Sequence, residues 1–157
     1  MTNAFIRFVN IILAALLAGT SFGIWIGLNP KSYSPTTYIE QQQNLVSSLN
    51  SLMVSLVILA TLVTALSAFL NRKHKTIFIA LLFASVFLAS CIFISRFGNF
   101  PIQIEMLTWK AEHLPDNWKS LRDKWWAFHI MRTIAELLAL VLVAWVSVHK
   151  ISTERLV

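Results

Sequence analysis

The sequence predicts an all-α integral membrane protein, a bundle of four spanning helices, and two observations support this prediction. Hydrophobic residues make up 57% of the chain, charged residues make up 13%, and the mean hydropathy is +0.67. Four segments are long and apolar enough to cross a bilayer, which takes about 20 residues. They are Phe5–Leu28, Leu49–Leu70, Thr76–Phe97 and His129–Val148. Little sequence lies between them, so we predict a single four-span membrane domain over residues 1–157.

The first apolar segment follows Arg7, an arrangement that a signal peptide also has. Its apolar run continues through Ile24, Trp25 and Ile26. The apolar core of a signal peptide spans only about 7–15 residues. We therefore predict that this segment is an uncleaved first span.

Three glycines of the first span, Gly19, Gly23 and Gly27, recur at every fourth residue. This spacing forms a face of small residues that lets another helix approach closely. We expect that face to contact a second helix, which belongs either to this chain or to another copy in a homo-oligomer. A flat ligand packed against the glycines is the alternative.

The connections on one side of the bundle are rich in polar and aromatic residues. Ser34 and Pro35 form a good N-cap and first-turn pair, so the second helix begins near Pro35, and most of its first turns should face water or headgroups. Gly98, Asn99 and Pro101 predict a turn that ends the third span, because proline disfavours helix at the preceding residue. We expect Ile102–Glu112 to form a short interfacial helix.

The fourth helix should begin outside the membrane, where Asp116 can cap it, and continue without a break through the last span. Several tryptophans lie near its outer end. Tryptophan is enriched at membrane–water interfaces. We therefore expect an outer aromatic belt, which consists of Trp109, Trp118, Trp125 and Trp126.

Six residues form a polar and aromatic stripe along the fourth helix. They are Trp118, Arg122, Trp125, His129, Arg132 and Glu136, spaced alternately four and three apart. This spacing keeps side chains on one face of a continuous helix, over roughly 27 Å at about 1.5 Å per residue. The last three residues enter the apolar layer, where ionisable side chains are costly and suggest a functional site.

A purely structural role is the alternative for these residues. Arg132 and Glu136 are four residues apart and can pair with each other inside the membrane. His129 can serve as an interfacial histidine, and Arg122 can contact phosphate headgroups. The chain contains no HExxH, ExxH or HxxxH motif. We predict no cofactor and no metal ligand, although these observations leave a metal or haem site open.

The residues around the stripe resemble a family of small four-helix membrane proteins, largely known as a domain of unknown function, that includes fungal anthrone oxygenases. The similarity rests on a glycine-rich first helix, an N-x-P segment after the third span, and the pattern W-x3-R-x2-W-x3-H-x2-R-T. The matching residues are Asn99, Pro101, Trp118, Arg122, Trp125, His129, Arg132 and Thr133. The family often has asparagine two positions after the proline, where this chain has Gln103.

The resemblance implies an oxidoreductase that acts on a small lipophilic substrate, polycyclic or phenolic, with dioxygen. An anthrone has an acidic C–H bond, and its carbanion can react with dioxygen without a metal. On this hypothesis His129 is the base, since its unperturbed pKa of about 6.5 suits proton transfer. Arg132 stabilises the oxyanion, and Glu136 holds Arg132. The substrate-binding residues are Trp118, Arg122, Trp125, Asn99 and Gln103.

The competing functional class is a non-enzymatic membrane subunit or a lipid-binding scaffold whose polar stripe only ties the fourth helix to its neighbours. Disulfide exchange is excluded as the chemistry, because Cys91 is the one cysteine. The net charge of +6 is explained by basic residues that lie on one side of the membrane. We therefore predict no nucleic-acid partner. The expected partners are the lipid bilayer and a small lipophilic ligand.

The distribution of charge predicts the orientation in the cell membrane. The two termini and the middle connection share one side, whose charged residues are Arg7, Arg72, Lys73, Lys75, Lys150, Arg155 and Glu154. On the other side, basic and acidic residues nearly balance. Uncompensated lysine and arginine in short loops mark the cytoplasmic side. Both termini should therefore be cytoplasmic.

Labelling of single cysteines with a membrane-impermeant maleimide tests this orientation. We expect Lys119→Cys to react from outside intact cells and Lys73→Cys to react only after the membrane is opened. Both substitutions belong in a Cys91→Ser background. Modification of position 73 in intact cells would reverse the predicted orientation.

Overall fold

Four long helices cross the bundle in the computed structural model, which describes the backbone of residues 2–154 and the side chains of residues 4–149. The α-helices are α1 (Thr2–Gly27), α2 (Pro35–Leu70), α3 (Lys75–Phe93), α4 (Phe100–Met106) and α5 (Trp118–Glu154), with a 3₁₀ turn at Pro30–Ser32 and a π-helix at Ile94–Asn99. Helix α3, the π-helix and α4 form one of the four long helices. Among the described residues, four helical segments are long and apolar enough to span a membrane. Over residues 2–154 the only extended pairing is a bridge between Lys110 and His113. The all-α, four-helix membrane fold is confirmed.

The spanning helices pack as a ring in which α1 and α3 each contact both α2 and α5. Small side chains, among them Ala60, Ala84 and Ala139, are fully buried where the helices meet. Small residues let helix backbones approach closely, which favours association in lipid. Large apolar side chains such as Leu62, Phe83 and Val141 instead point outward, so the outside of the bundle suits a hydrocarbon environment.

The second helix begins at Pro35, as predicted. The Ser34 hydroxyl accepts a hydrogen bond from the Thr37 backbone N–H at 3.2 Å. At about 1.5 Å per residue, α2 is roughly 54 Å long, which exceeds the ~30 Å hydrocarbon core of a bilayer. Its first turns therefore extend beyond the membrane, and so does the start of α5.

The predicted break at the end of the third span is wrong. The chain stays helical from Lys75 to Met106, because a π-helix at Ile94–Asn99 joins α3 to α4. The Phe100 N–H bonds to the carbonyl of Ser95, five residues back. This wider turn keeps the Pro101 ring clear of the preceding turn, where it would clash in a regular α-helix. The expected interfacial helix is accordingly shorter than predicted and ends at Met106.

The π-helix lies very close to α5 at one glycine. A Cβ atom built on Gly98 would lie 2.7–2.9 Å from three ring atoms of Phe128. Real Cβ contacts are essentially never that short. Glycine is therefore required here by the space between the two helices.

The outer ends of α2 and α4 pack against each other, which the sequence did not predict. Tyr38 is buried, and its hydroxyl donates to Met106 Sδ at 3.2 Å. The Gln43 side-chain amide donates to the carbonyls of Met106 and Trp109. The first turns of α2 thus face protein on one side. Their opposite face, including Glu40 and Asn44, is exposed.

The predicted aromatic belt is also largely wrong. Trp109, Trp125 and Trp126 are buried within the protein. Trp118 is half-buried and packs with the Tyr38 ring at 5.9 Å. Tryptophan suits either position, because its ring is apolar and large enough to stabilise a buried contact.

The glycine face of α1 contacts no other helix in the described part of the chain. No atom of another described helix lies within 4 Å of a Cβ built on Gly19, Gly23 or Gly27. Of the two partners that the sequence left open, a helix of the described part of this chain is therefore excluded. Contact with a second copy stays a prediction.

The basic residues of the α2–α3 connection, Arg72, Lys73 and Lys75, are exposed. Three other residues used to predict the orientation, Lys150, Glu154 and Arg155, lie outside the described side chains.

Replacing Gly98 with alanine should destabilise the bundle, since the Phe128 ring must shift. Overpacking of this kind costs roughly 1–3 kcal/mol in protein cores. Thermal unfolding in detergent measures the effect. Gly23→Ala is the matched control; it should leave the midpoint unchanged or raise it, because alanine favours helix over glycine. Equal midpoints for the two variants would contradict the close contact.

Candidate functional site

A cavity of about 460 Å³ lies between α2, the α3–π-helix–α4 segment and α5. Its volume is within the ~300–1,000 Å³ typical of small-molecule sites. The lining residues are Leu17, Asn50, Met53, Val54, Val57, Ile58, Ile92, Ser95, Arg96, Asn99, Phe100, Gln103, Arg132 and Glu136. Most of the wall from α2 is apolar. The polar groups come chiefly from the other two elements.

Helix α5 contributes an arginine and a glutamate to the cavity wall. Arg132 and Glu136 are one turn apart, and Arg132 Nε lies 3.4 Å from Glu136 Oε1. Their side chains are 16% and 1% exposed. A buried charge requires a partner, and this pairing gives each residue one. The pair lacks hydrogen-bond geometry, however, because neither Arg132 Nε nor either oxygen of Glu136 has a hydrogen-bond partner among the described residues.

The two terminal nitrogens of Arg132 hold it to neighbouring groups. Nη1 donates to the Ser95 hydroxyl at 3.1 Å, and Nη2 donates to His129 Nδ1 at 3.3 Å. Ser95 belongs to the π-helix. The guanidinium therefore links α5 to the π-helix and is fixed in position beside the cavity.

His129 is buried beside the cavity and does not line it. Its Nε2 lies 3.2 Å from the carbonyl oxygen of Ser21 on α1. A carbonyl can only accept and a guanidinium can only donate, so Nε2 carries the proton and Nδ1 is the acceptor. The geometry thus assigns a neutral imidazole whose two nitrogens are both occupied.

Two tryptophans fix the imidazole ring. The rings of Trp125 and Trp126 lie 5.4 and 5.3 Å from the His129 ring, with interplanar angles of 3° and 19°. Neither tryptophan lines the cavity. Trp125 therefore supports the site through His129, although the sequence predicted direct contact with substrate.

Glu136 lines the cavity, and few groups of the protein stabilise its carboxylate. The Ser21 hydroxyl is also buried, and no described group forms a hydrogen bond with it or with the carboxylate oxygens. Arg132 is the nearby cation. The carboxylate thus keeps free capacity to accept a proton or a hydrogen bond.

Asn99 reaches the cavity from the end of the π-helix. Its Nδ2 donates to the backbone carbonyl of Trp125 at 3.0 Å, which fixes the amide. The opposite atom, Oδ1, is buried and accepts no hydrogen bond from the described residues. Gln103, one turn further on, lines the same cavity. Both residues line this cavity together with Arg132 and Glu136, and their predicted role in substrate binding stays a prediction.

The outer part of the stripe is not part of this cavity. The Arg122 guanidinium stacks on the Trp118 ring at 5.2 Å, and its Nε bonds to Asp123 at 2.9 Å. Trp118 also packs on Tyr38. These residues stabilise the outer packing between α2 and α5. Trp118 and Arg122, both predicted to bind substrate, lie away from the cavity.

Sequence reasoning missed several residues of the site. Ser95 lies four residues before Asn99, and this spacing on one helix face could have indicated it. Arg96 and Asn50 carry no such signal, because their position depends on how α2 meets the π-helix. Ser21 contributes through its carbonyl, which no sequence pattern reveals.

Within the described part of the chain, no group of three or more His, Cys, Asp or Glu side chains is placed to hold a metal ion. The chemistry available from the cavity wall is that of one carboxylate, two guanidinium groups, three side-chain amides and one hydroxyl. These groups can take a proton, stabilise an anion and orient oxygen atoms in an otherwise apolar space.

A comparison with known protein families gives a match over more than half of the chain. A family model described as anthrone oxygenase matches residues 43–142, a range that includes Asn99, Gln103, Arg132 and Glu136. No curated protein and no solved structure matches the chain. The family match spans more than half of the sequence and covers three of the four spanning helices. The chain belongs to the anthrone oxygenase family.

Proposed function

We propose that this protein is a membrane enzyme that binds a small lipophilic ring compound, phenolic or polycyclic, and assists its reaction with dioxygen. One observation carries the proposal. Arg132 and Glu136 lie together on the wall of a largely apolar cavity and keep polar atoms that no described protein group satisfies. Unsatisfied buried polar groups destabilise a protein, so a ligand that completes them is the simplest reason to retain them.

In this proposal Glu136 is the general base. An ionised carboxylate only accepts hydrogen bonds, and Glu136 faces the cavity with free acceptor capacity. His129 was the base that the sequence suggested. The geometry favours Glu136 instead, because Arg132 and the Ser21 carbonyl already occupy both imidazole nitrogens. His129 then acts as a positioning residue for Arg132.

The remaining cavity groups match the other needs of the reaction. The Arg132 guanidinium stabilises the oxyanion that forms when the substrate C–H is deprotonated, an effect that is strong where water is excluded. Asn99 Oδ1 can accept a hydrogen bond from a substrate hydroxyl. Gln103 can donate to a carbonyl oxygen or accept from a hydroxyl.

The proposed reaction needs no reagent other than the substrate and dioxygen. Glu136 takes a proton from a CH₂ group next to the aromatic rings, and the resulting carbanion gives an electron pair to dioxygen to form a C–O bond. Return of a proton yields a hydroperoxide. Loss of water, with the second hydrogen of the original CH₂, leaves a carbonyl. One dioxygen is consumed and one water is released for each CH₂ that becomes C=O.

We further propose that the site lies in the outer half of the cell membrane with both termini cytoplasmic. The support is the cluster of exposed basic residues, Arg72, Lys73 and Lys75, at the opposite end of α3 from the cavity. A lipophilic substrate dissolved in the bilayer then reaches the cavity directly.

Glu136→Gln should abolish most of the catalysis while it preserves the shape of the cavity. A general base contributes roughly 10²–10⁴-fold, so we expect a fall of at least about 100-fold in the rate above background. The assay follows anthraquinone formation and oxygen uptake with anthrone in detergent, with protein-free micelles to correct for spontaneous oxidation. Glu40→Gln, an exposed carboxylate on α2, is the matched control. A fully active Glu136→Gln variant would contradict the assigned base.

A non-enzymatic scaffold is the second candidate, and the ties of Arg132 to Ser95 and His129 favour it. These contacts join helices whether or not a substrate binds. The double variant Arg132→Met/Glu136→Leu separates the two functions. A pair that is only structural can be replaced by apolar side chains with little loss of stability, or with a gain.

We expect the double variant to fold with a thermal midpoint near that of the wild type and to oxidise anthrone no faster than protein-free micelles. Lys124→Met, an exposed change on the same helix, should keep both stability and activity. Undiminished activity in the double variant would assign the pair a structural role.

A further inference from the structure

The cavity opens sideways between α2 and the π-helix, through the surface that faces lipid. Val54 and Ile58 on α2 line the cavity and are 44% and 43% exposed. Across from them, Arg96 and Phe100 line the cavity and are also exposed. The same side chains thus contact both the cavity and the surroundings of the bundle. They form the mouth of the cavity.

Arg96 is the charged residue of this mouth. Its guanidinium stacks on the Phe100 ring at 5.1 Å, which holds it at the edge of the opening. The ion pairs among the described side chains involve Lys31, Arg122 and Arg132, and none involves Arg96. Arg132 has Glu136 as its counterion. The charge of Arg96 is therefore not balanced by a carboxylate of the described chain.

The depth of Arg96 in the membrane restricts what can pair with it. From Lys75 to Arg96 the helix rises about 31 Å, at about 1.5 Å per residue. This is close to the ~30 Å thickness of the hydrocarbon core. With Lys75 at one surface, Arg96 lies at the other boundary between hydrocarbon and headgroups. Water and anions reach this depth, and the apolar wall begins directly below it.

We propose that Arg96 binds an acidic group on the substrate, a carboxylate or an ionised phenol, while the apolar rings of the substrate lie in the cavity toward Arg132 and Glu136. The inference rests on the proposed function, because it assigns the same cavity an amphiphilic ligand. The planar guanidinium suits a carboxylate, which it can bind through two parallel hydrogen bonds. Arg96 then selects acidic ring compounds and determines which end of the substrate enters the cavity first.

A phospholipid headgroup is the other source of an anion at this depth. The position of Arg96 favours the substrate, because its side chain forms part of the cavity wall together with Phe100. An anion attached to the cavity ligand is thereby held beside the guanidinium.

Binding without turnover tests this role separately from catalysis. Equilibrium dialysis of the detergent-purified protein, in an uncharged detergent, compares anthraquinone-2-carboxylate with anthraquinone, neither of which has the reactive CH₂. We expect the wild type to bind the carboxylate roughly tenfold more tightly, as hydrogen bonds to a charged group allow. Arg96→Gln should remove this preference and leave the binding of anthraquinone unchanged, which also shows that the variant is folded.

Arg72→Gln is the matched control, since Arg72 is also exposed and stacks on a phenylalanine, Phe69, at 4.2 Å. It should keep the preference for the carboxylate. If Arg96→Gln keeps that preference too, this proposal is overturned and the proposed function is unaffected. If the wild type binds neither ligand, the proposed function itself fails.

A lipid role gives a different result. Bilayer discs of phosphatidylcholine, with and without phosphatidylglycerol, allow the retained lipid to be measured. Enrichment of phosphatidylglycerol that depends on Arg96, together with equal affinity for the two ring ligands, would assign Arg96 to a headgroup and overturn the proposal.

Discussion

The arrangement of the bundle around its cavity depends on satisfying one guanidinium inside a membrane. Arg132 lies on a helix that must cross an apolar layer, where an unpaired charge is costly. The protein supplies Ser95 from the π-helix, His129 from the same helix face and Glu136 one turn away. Because His129 in turn donates to the Ser21 carbonyl, the network joins α1, α5 and the π-helix. These contacts set how the helices meet around the cavity.

This network is incomplete on its cavity side. The Asn99 amide nitrogen is bonded, whereas its oxygen is not, and the Glu136 carboxylate has an ion pair without a hydrogen bond. A partly satisfied polar network is less stable than an apolar core of the same shape. Four of the unpaired atoms, namely Asn99 Oδ1, Arg132 Nε and both Glu136 carboxylate oxygens, belong to residues that line one cavity, whereas Ser21, Gln42 and Trp125, whose side chains also have an unpaired atom, do not line it. The four atoms at the cavity are the observation that supports a ligand in the proposed function.

Sequence reasoning predicted the fold, and it identified four residues that the structure brings to the cavity, namely Asn99, Gln103, Arg132 and Glu136. It predicted a site that is longer than the cavity. The stripe extends roughly 27 Å along α5, whereas a cavity of this volume is only about 10 Å across if it is roughly spherical. Trp118 and Arg122 therefore lie too far out, although they share the face. His129 is near enough, but it turns toward α1, and helical periodicity cannot show which neighbouring helix a face will meet.

The π-helix explains why the rest of the site could not be predicted from the sequence. Pro101 is a sound signal for a helix end, yet a widened turn lets the helix continue through it. Such turns are rare and often occur at functional sites. Here the turn places Gly98 against Phe128 and Asn99 against the Trp125 carbonyl, so the segment is held to α5 at two adjacent residues. Spaced four apart, Ser95, Asn99 and Gln103 share one face of the helix, and all three line the same cavity as Arg132 and Glu136. The sequence could not show that the helix continues through Pro101, and this continuation is what carries Gln103 to the cavity.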